Sequence, residues 1–238
     1  MKRALVSSVT NYILDLEGAI IIMDFMSRIE LFVFRHGETD WNKESRFQGH
    51  TDIPLNAKGI EQAYSLATVI KTLKPEIILT SDLNRAKHTA QIVNEDLGVS
   101  IIETPMLREC RLGEPEGLLR TEIVQKYGNA MWQKWLSVKN EDQDFSFPLG
   151  ESKREHLLRQ LNFIESFLLN NTHFSRIILS THGGSLRRLV HYCKSSPIEP
   201  IAIPNCALYK IEFEPAKREW NYVGPLYLSH ENESKTFI

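Results

Sequence analysis

Short apolar runs alternate along this chain with longer segments in which apolar residues recur at helical spacing. The short runs are typical of buried strands, and the longer segments are typical of helices with one buried face. The strands predicted from this pattern span 30–35, 76–80, 99–103, 176–180, 206–213 and 220–228. The predicted helices lie between Asn56 and Pro75 and at 83–96, 121–137, 153–170 and 184–193.

Strands and helices that alternate in this way form a parallel sheet covered by helices. We therefore predict an α/β fold, a three-layer sandwich with a mostly parallel central sheet flanked by helices. The last two predicted strands are expected at or near an edge of that sheet. No linker divides the chain, so residues 29–238 are expected to form a single domain.

Two segments fall outside the regular alternation. Residues 1–28 precede the first strand as an extension, which is an extra helix, a disordered arm or an overextended start of the chain. The other segment is an insertion at about 110–150, which holds Trp132 and Trp135. Its aromatic residues either pack the insertion onto the core or shape a binding site.

Composition excludes several classes of partner. The 238 residues are 42% hydrophobic and 24% charged, and the net charge of -2 gives no global basic footprint for nucleic acid. No apolar stretch approaches the roughly 20 residues that span a bilayer, so no membrane partner is expected. Cys110, Cys193 and Cys206 are too few and too widely spaced for a disulfide framework or a zinc site. Reduced thiols favour a cytoplasmic location.

The polar residues directly after the first predicted strand carry the strongest chemical signal. Arg35, His36 and Gly37 follow the apolar run Leu31–Phe34, and residues at such a strand end face the crevice where α/β sheets bind ligands. Arginine offers a planar fork to phosphate or carboxylate oxygens, and histidine can act as nucleophile or base near neutral pH. Gly37 is expected to leave room for a ligand against the backbone. Alone, the pair of Arg35 and His36 favours a structural ion pair for Arg35 and an ordinary strand-end position for His36.

Four further segments place polar or glycine residues at comparable positions. They are Gln48–Gly49, Ser81–Ala90, Leu107–Glu109 and Thr181–Gly184. In this order and spacing, together with the segment Arg35–Gly37, they resemble the histidine phosphatase superfamily, also called the phosphoglycerate mutase-like family. The resemblance runs from about residue 30 to about residue 213 and implies the phosphoglycerate mutase-like fold. It also implies that the insertion at about 110–150 lies over the active site and shapes specificity.

The resemblance implies a phosphate pocket made of two arginines and two histidines. His36 would attack phosphorus and form a phosphohistidine, while its other ring nitrogen donates to a backbone carbonyl. Arg35 and Arg85 would bind the phosphoryl oxygens, and His182 would donate a further hydrogen bond. Gly183, at the start of a helix, would add backbone N–H groups and the positive end of the helix dipole.

The same resemblance assigns the proton donor and the neutral ligands of the substrate. Glu109 would protonate the leaving alkoxide and then activate the water that hydrolyses the phosphohistidine. The residues expected to bind substrate or phosphate through neutral groups are Thr39, Asn42, Gln48 and Gly49. Phosphohistidine chemistry needs no metal, and no cofactor is expected.

Each assignment has a structural alternative. Glu114 or Glu116 would replace Glu109 as the acid if Glu109 were an ordinary surface carboxylate. Asn42 would be only a turn or cap residue. Arg35 and Arg85 would be structural ion-pair partners, and His182 would be a satisfied core histidine.

Three functions compete, and the length of the insertion separates the first two. The first is a phosphatase that hydrolyses small phosphomonoesters, and the second is a cofactor-dependent phosphoglycerate mutase. The third is a non-catalytic phosphate-binding regulatory protein, which the full set of charged catalytic positions disfavours. Only about forty residues separate Glu109 from Gly150–Ser152, which resembles the short phosphatase branch of the superfamily. The expected partner is a small phosphorylated metabolite, and a homodimer is an open alternative to a monomer.

Overall fold

The computed structural model of this protein describes residues 28–194, 201 and 203–228, and the backbone of residues 13–14 and 20–21. Those two short stretches are strands β1 (Ile13–Leu14) and β2 (Ile20–Ile21), which pair in antiparallel fashion. The rest of the predicted extension at 1–28, apart from Arg28, lies outside the described residues.

Within the described part of the chain, six further strands form the central sheet. They are β3 (Ile29–Arg35), β4 (Ile77–Ser81), β5 (Ser100–Thr104), β6 (Arg176–Thr181), β7 (Leu208–Glu214) and β8 (Glu219–Tyr227). The helices are α1 (Asp40–Lys43), α2 (Ala57–Leu73), α3 (Asn84–Asn94), α4 (Arg120–Tyr127), α5 (Asn129–Leu136), α6 (Lys153–Asn170) and α7 (Gly183–Cys193). Two 3₁₀ turns span Pro105–Leu107 and Asn140–Asp142.

The order of the strands across the sheet is β5-β4-β6-β3-β7-β8. The first four strands in that order are mutually parallel, whereas β7 runs antiparallel to β3 and β8 antiparallel to β7. This arrangement confirms the mostly parallel sheet predicted from the sequence. It also confirms that the last two strands lie towards one edge.

Alternate residues of β3 face two separate apolar layers. Leu31 and Val33 pack into a cluster with residues of α6 and α7, while Phe32 and Phe34 pack with residues of α2 and α3. Burial on both faces explains why β3 is a continuous apolar run instead of an alternating one. The sheet with a helical layer on each face is the predicted three-layer sandwich.

The insertion has a small core of its own and differs from its predicted helix. The single helix expected at 121–137 is two helices, α4 and α5, which meet at Gly128. Glycine is a poor helix former and a common helix terminator, so the chain turns there. Trp132 is buried in a cluster with Phe47 and Phe147, so this aromatic residue packs the insertion onto the domain.

Candidate active site

The predicted catalytic side chains all lie at the carboxyl-terminal end of the sheet, where the four parallel strands end. Arg35 ends β3 and His36 follows it, Arg85 lies in the first turn of α3 after β4, and His182 caps α7 after β6. Glu109 follows the 3₁₀ turn after β5. Open α/β sheets bind ligands at the carboxyl ends of their strands. A cavity of about 510 Å³ opens there, and its wall includes Arg35, His36, Arg85 and Glu109.

The ring of His36 is held with one nitrogen protonated and the other free to react. Its Nδ1 lies 2.7 Å from the carbonyl oxygen of Gly37, which can only accept, so Nδ1 carries the proton and Nε2 keeps its lone pair. Burial, and then the charges of Arg85 and Arg35, lower the pKa of His36 well below its ordinary value. The ring is therefore neutral at physiological pH, as a nucleophile requires.

Arg85 is fixed in the cavity wall by three hydrogen bonds. Its Nη1 donates to the carbonyl of Thr51 at 2.8 Å and its Nη2 to the carbonyl of Gly49 at 2.7 Å. Its Nε donates to Nδ1 of His182 at 3.2 Å. Burial lowers the pKa of Arg85 to about 10, so the side chain remains a cation at neutral pH. These bonds hold the charge in place without a carboxylate to neutralise it.

Arg35 has a donor that the protein leaves unused. Its Nη1 donates to the carbonyl of Ile203 at 2.7 Å, whereas its Nε is buried and has no hydrogen-bond partner among the described residues. Burial first, and then the charge of Arg187, lower the pKa of Arg35 to about 10. A buried N–H without an acceptor is costly in a finished core, and beside a cavity it indicates a place for an anionic ligand.

His182 is held on both sides of its ring by protein groups. Because Nε of Arg85 always donates, Nδ1 of His182 accepts, and its Nε2 must donate to Oγ of Ser81 at 2.9 Å. The ring is fully buried and meets the ring of His36 edge-on, with centroids 5.2 Å apart. Both ring nitrogens are thus engaged by protein groups, and His182 supports Arg85 instead of lining the cavity. Direct donation from His182 to the phosphate stays a prediction.

Glu109 lies at the start of α7, close to the glycine pair. Its Oε2 accepts from the backbone N–H of Gly184 at 2.7 Å, and its Oε1 accepts from the N–H of Cys110 at 2.9 Å and from Oγ of Ser185 at 3.3 Å. These contacts aim the carboxyl group at the cavity that His36 faces. Glu109 therefore has the location expected of a proton donor.

The alternative acids are engaged elsewhere. Glu116 accepts from the backbone N–H groups of His50, Thr51 and Leu112, at 2.9 to 3.0 Å. These bonds fix a loop, and Glu116 does not line the cavity. Glu114 pairs with Lys126 on the surface at 2.9 Å. Neither of these two carboxylates lines the cavity.

The predicted neutral ligands divide into two groups. Thr39 is buried and caps α1, with its side chain accepting from the backbone of Asn42, so Thr39 has a structural role and does not line the cavity. Asn42 does line it. Its Oδ1 accepts from Thr39 and from Nδ2 of Asn205, which leaves Nδ2 of Asn42 as a donor that no described residue uses.

Gln48 and Gly49 both line the cavity, and Gly49 is required by the backbone. Its φ is 54°, and a Cβ added there would lie 2.2 Å from Oε1 of Glu116. Gln48 has a buried Oε1 without a partner among the described residues. Gly37 differs from expectation, since a Cβ there would meet the carbonyl of Gly59 at 2.3 Å. The small residue at 37 is needed for packing against α2 and not for a ligand.

Comparison with known proteins agrees with this geometry. The sequence pattern of the Histidine phosphatase superfamily (branch 1) matches residues 31–224, which is most of the chain. The chain belongs to the histidine phosphatase superfamily. The probable phosphoglycerate mutase GpmB of Escherichia fergusonii is 33% identical over 189 residues, covering 78% of this chain and 86% of that protein.

Two solved structures share the fold of this superfamily member. The mycobacterial glucosyl-3-phosphoglycerate phosphatase superposes with a TM-score of 0.74 at 23% identity, covering 84% of this chain and 99% of that chain. The phosphoglycerate mutase of Bacillus anthracis superposes with a TM-score of 0.73 at 24% identity, covering 83% and 92%. At these identities the two structures establish the fold and not the substrate.

This histidine phosphatase also lines its cavity with two arginines that the sequence interpretation did not select, and with one tryptophan for which it left packing and binding as alternatives. Arg187 and Arg188, on α7, and Trp135, in the insertion, belong to the wall. The two arginines lie four residues after Gly183 and Gly184, and this spacing places them on the same helix face as the glycines. From the sequence, that spacing could have identified Arg187 and Arg188 as candidate residues of the site.

The described residues also bear on metal and membrane partners. Among them, no three or more His, Cys, Asp or Glu side chains are arranged to hold a metal ion. No described helix is both long enough and apolar enough to cross a membrane.

Proposed function

We propose that this protein is a phosphatase that hydrolyses small phosphomonoesters through a phosphohistidine on His36. The observation that carries the proposal is the tautomer of His36, whose Nδ1 is held by Gly37 while Nε2 keeps its lone pair. The ring lies in a cavity that also contains the cations Arg35 and Arg85. A neutral nucleophile beside two fixed cations suits attack on a phosphate dianion.

The first chemical step forms the phosphohistidine. Nε2 of His36 attacks phosphorus, the bond between phosphorus and the ester oxygen breaks, and protonated Glu109 gives its proton to that oxygen. Arg35 and Arg85 offset the negative charge on the phosphoryl oxygens as the group moves. The alcohol leaves and Glu109 is then ionised.

The second step returns the enzyme to its starting state. Ionised Glu109 takes a proton from water, and the water oxygen attacks phosphorus. The bond between phosphorus and Nε2 breaks, and inorganic phosphate departs. Glu109 is left protonated for the next turn, and His36 is again neutral.

A phosphoglycerate mutase is the second candidate, and it uses the same phosphohistidine. The name of the Escherichia relative favours it. The short segment between Glu109 and Gly150 favours the phosphatase, because an enzyme that returns the phosphoryl group must keep water away from it. Hydrolysis of the phosphohistidine and return of its phosphoryl group thus differ in how well the insertion must cover the cavity.

The test is a substrate panel assayed for both outcomes. Release of inorganic phosphate is measured from sugar phosphates, phosphoglycerates, nucleotides and α-ribazole phosphate, with phosphoglycerate mutase activity measured in parallel. The proposal predicts that phosphate release exceeds phosphoryl return for the best substrate. Efficient return of the phosphoryl group, with little release of inorganic phosphate, would show that the protein is a mutase and not a phosphatase.

The proposal includes metal independence and a cytoplasmic location. The three described cysteines are free and buried, which suits a reducing compartment. Phosphate release should be unchanged after dialysis against EDTA, and cell fractionation should place the protein in the soluble cytoplasmic fraction. Loss of activity that Mg²⁺ or Zn²⁺ restores would contradict the first of these statements.

A further inference from the structure

The cavity carries more positive charge than one phosphoryl group requires. Among the described residues, seven cationic side chains and one carboxylate, that of Glu109, line it, although the net charge of the whole chain is -2. Arg35 and Arg85 belong to the phosphate site described above. The other cations are Arg46, Lys153, Arg154, Arg187 and Arg188.

Three of these other cations, Arg46, Arg154 and Lys153, are engaged by the protein itself, and Arg187 also has an interaction within the protein. Arg46 pairs with Glu44 at 2.6 Å, and Arg154 pairs with Asp144 at 2.6 Å. Lys153 donates to three backbone carbonyl oxygens at the end of α5. These contacts give the three side chains structural roles that need no ligand.

Arg188 differs from them because its guanidinium makes no hydrogen bond or ion pair with any described residue. The side chain is half-buried in the cavity wall. Its guanidinium lies over the ring of Trp135, 5.1 Å from the centroid, a contact that orients the group but leaves its N–H donors unused. Burial, and then the charge of Arg188, lower the pKa of the neighbouring Arg187, so the two cations repel each other.

The position of Arg188 places it on the side from which the leaving group departs. A Cβ added at Gly184 would lie 2.6 Å from Oε1 of Glu109 and 2.9 Å from Nη1 of Arg188. Arg188 is therefore beside the carboxyl group that is proposed to protonate the ester oxygen. Whatever is attached to that oxygen must pass close to Arg188.

We propose that Arg188, with Arg187, binds a second anionic group on the organic part of the substrate. The group is a carboxylate or a second phosphate, since the arginine fork fits the oxygens of both. This inference rests on the proposed function and narrows its substrate class to phosphomonoesters that also carry an acid group. Trp135 holds the Arg188 guanidinium in place before the substrate binds, which reduces the entropy lost on binding.

The test uses substrate pairs that differ in one charge. Phosphate esters of ω-hydroxy acids with two to six carbons are compared with the esters of the matching ω-hydroxy amides. The bisphosphates of diols form a third series, and p-nitrophenyl phosphate reports hydrolysis that needs no second anion. For the best chain length, kcat/KM of the acid should exceed that of the amide by at least about tenfold, mainly through KM.

The variant Arg188→Met removes the charge and keeps an apolar stem against Trp135. It should lower the acid-to-amide ratio to near one. The matched control is Arg120→Met, because Arg120 also lies over a tryptophan of the insertion, 5.2 Å from the centroid of Trp132, but outside the cavity wall. The control should keep the ratio of the unmodified protein.

The outcomes separate the two proposals. If p-nitrophenyl phosphate is hydrolysed and acids and amides are used equally at every chain length, the second anion site is wrong and the phosphatase stands. This result needs no variant, so it holds even if Arg188→Met does not fold. If no ester releases phosphate, the proposed function has failed and the inference falls with it. A higher ratio for bisphosphates than for acids would identify the second anion as phosphate.

Discussion

Glu109 accepts a hydrogen bond of 2.7 Å from the backbone N–H of Gly184, at the first turn of the helix that His182 caps. This contact joins the residue that follows β5 to the element that follows β6. It fixes the proposed acid relative to the cavity, although 75 residues separate the two partners. The location of the acid is therefore a consequence of the sheet topology.

The first prediction concerns the role of Glu109. Glu109→Gln should slow phosphorylation of the enzyme much more for alkyl phosphates than for an activated aryl phosphate. An alkoxide needs a proton in order to leave, whereas a stable phenolate does not. The measurement is single-turnover phosphorylation with both substrate classes. Equal slowing for both would show that Glu109 is not the acid.

The second prediction distinguishes an indirect role of His182 from a direct one. Nδ1 of His182 accepts from Nε of Arg85, and the side-chain oxygen of asparagine can occupy a position similar to that of Nδ1. His182→Asn should therefore keep more phosphatase activity than His182→Gln, by roughly tenfold. Steady-state kinetics of the two purified variants provide the comparison. Better activity in His182→Gln would contradict the role through Arg85 and would assign the function to Nε2, either at Ser81 or at the phosphate.

The third prediction is acid destabilisation that begins near pH 6.5. Burial is the first cause that lowers the pKa of His36, His156 and His182 well below the ordinary value. Below pH 6.5 the unfolded chain binds protons that the folded chain cannot, so the free energy of unfolding falls as the pH falls. Each such histidine contributes up to about 1.4 kcal/mol per pH unit.

Urea unfolding between pH 5 and pH 7.5 measures this effect. Nε2 of His156 lies 2.9 Å from Oγ of Ser185, and His156 does not line the cavity. The variant His156→Gln should show a shallower dependence on pH than the unmodified protein, by about one proton. Parallel curves for the two proteins would show that His156 titrates equally in the folded and unfolded states.

The fourth prediction links the backbone at Gly49 to Arg85. Gly49→Ala should lower both stability and kcat, because the new Cβ meets Glu116 and the carbonyl of Gly49 holds Nη2 of Arg85. The matched control is Gly98→Ala, where φ is similarly positive at 63° but nothing lies within 4 Å of the added Cβ. The control should lose about 1–2 kcal/mol of stability and keep its kcat. Equal kcat values in both variants would contradict the link to Arg85.

The local pattern of apolar and polar residues was sufficient to predict most of the sheet and the strand ends that carry the site. Arg35 and His182 each follow a buried apolar run, and a short run of apolar residues identifies a strand end without knowledge of the rest of the fold. The orientation of the side chains needed contacts that are distant in sequence. Ser81 and Arg85 fix the ring of His182 from 101 and 97 residues away.

Other differences between sequence and structure have the same origin. Gly37 suggested room for a ligand, but the neighbour that requires it is Gly59 of α2. Arg188 was not selected because its significance depends on Trp135, in a segment whose path across the cavity no local pattern predicts. The break at Gly128 was available from the sequence, since glycine disfavours a helix interior.

The measurement that tests the central proposal most directly is the trapping of the phosphorylated enzyme. The protein is mixed with a labelled phosphomonoester, quenched in denaturant at alkaline pH, where phosphohistidine survives, and digested for peptide mapping. The proposal predicts label on His36, and His36→Ala should fold normally, carry no label and lose several orders of magnitude in phosphate release. Label on another residue, or near-normal turnover by folded His36→Ala, would contradict it.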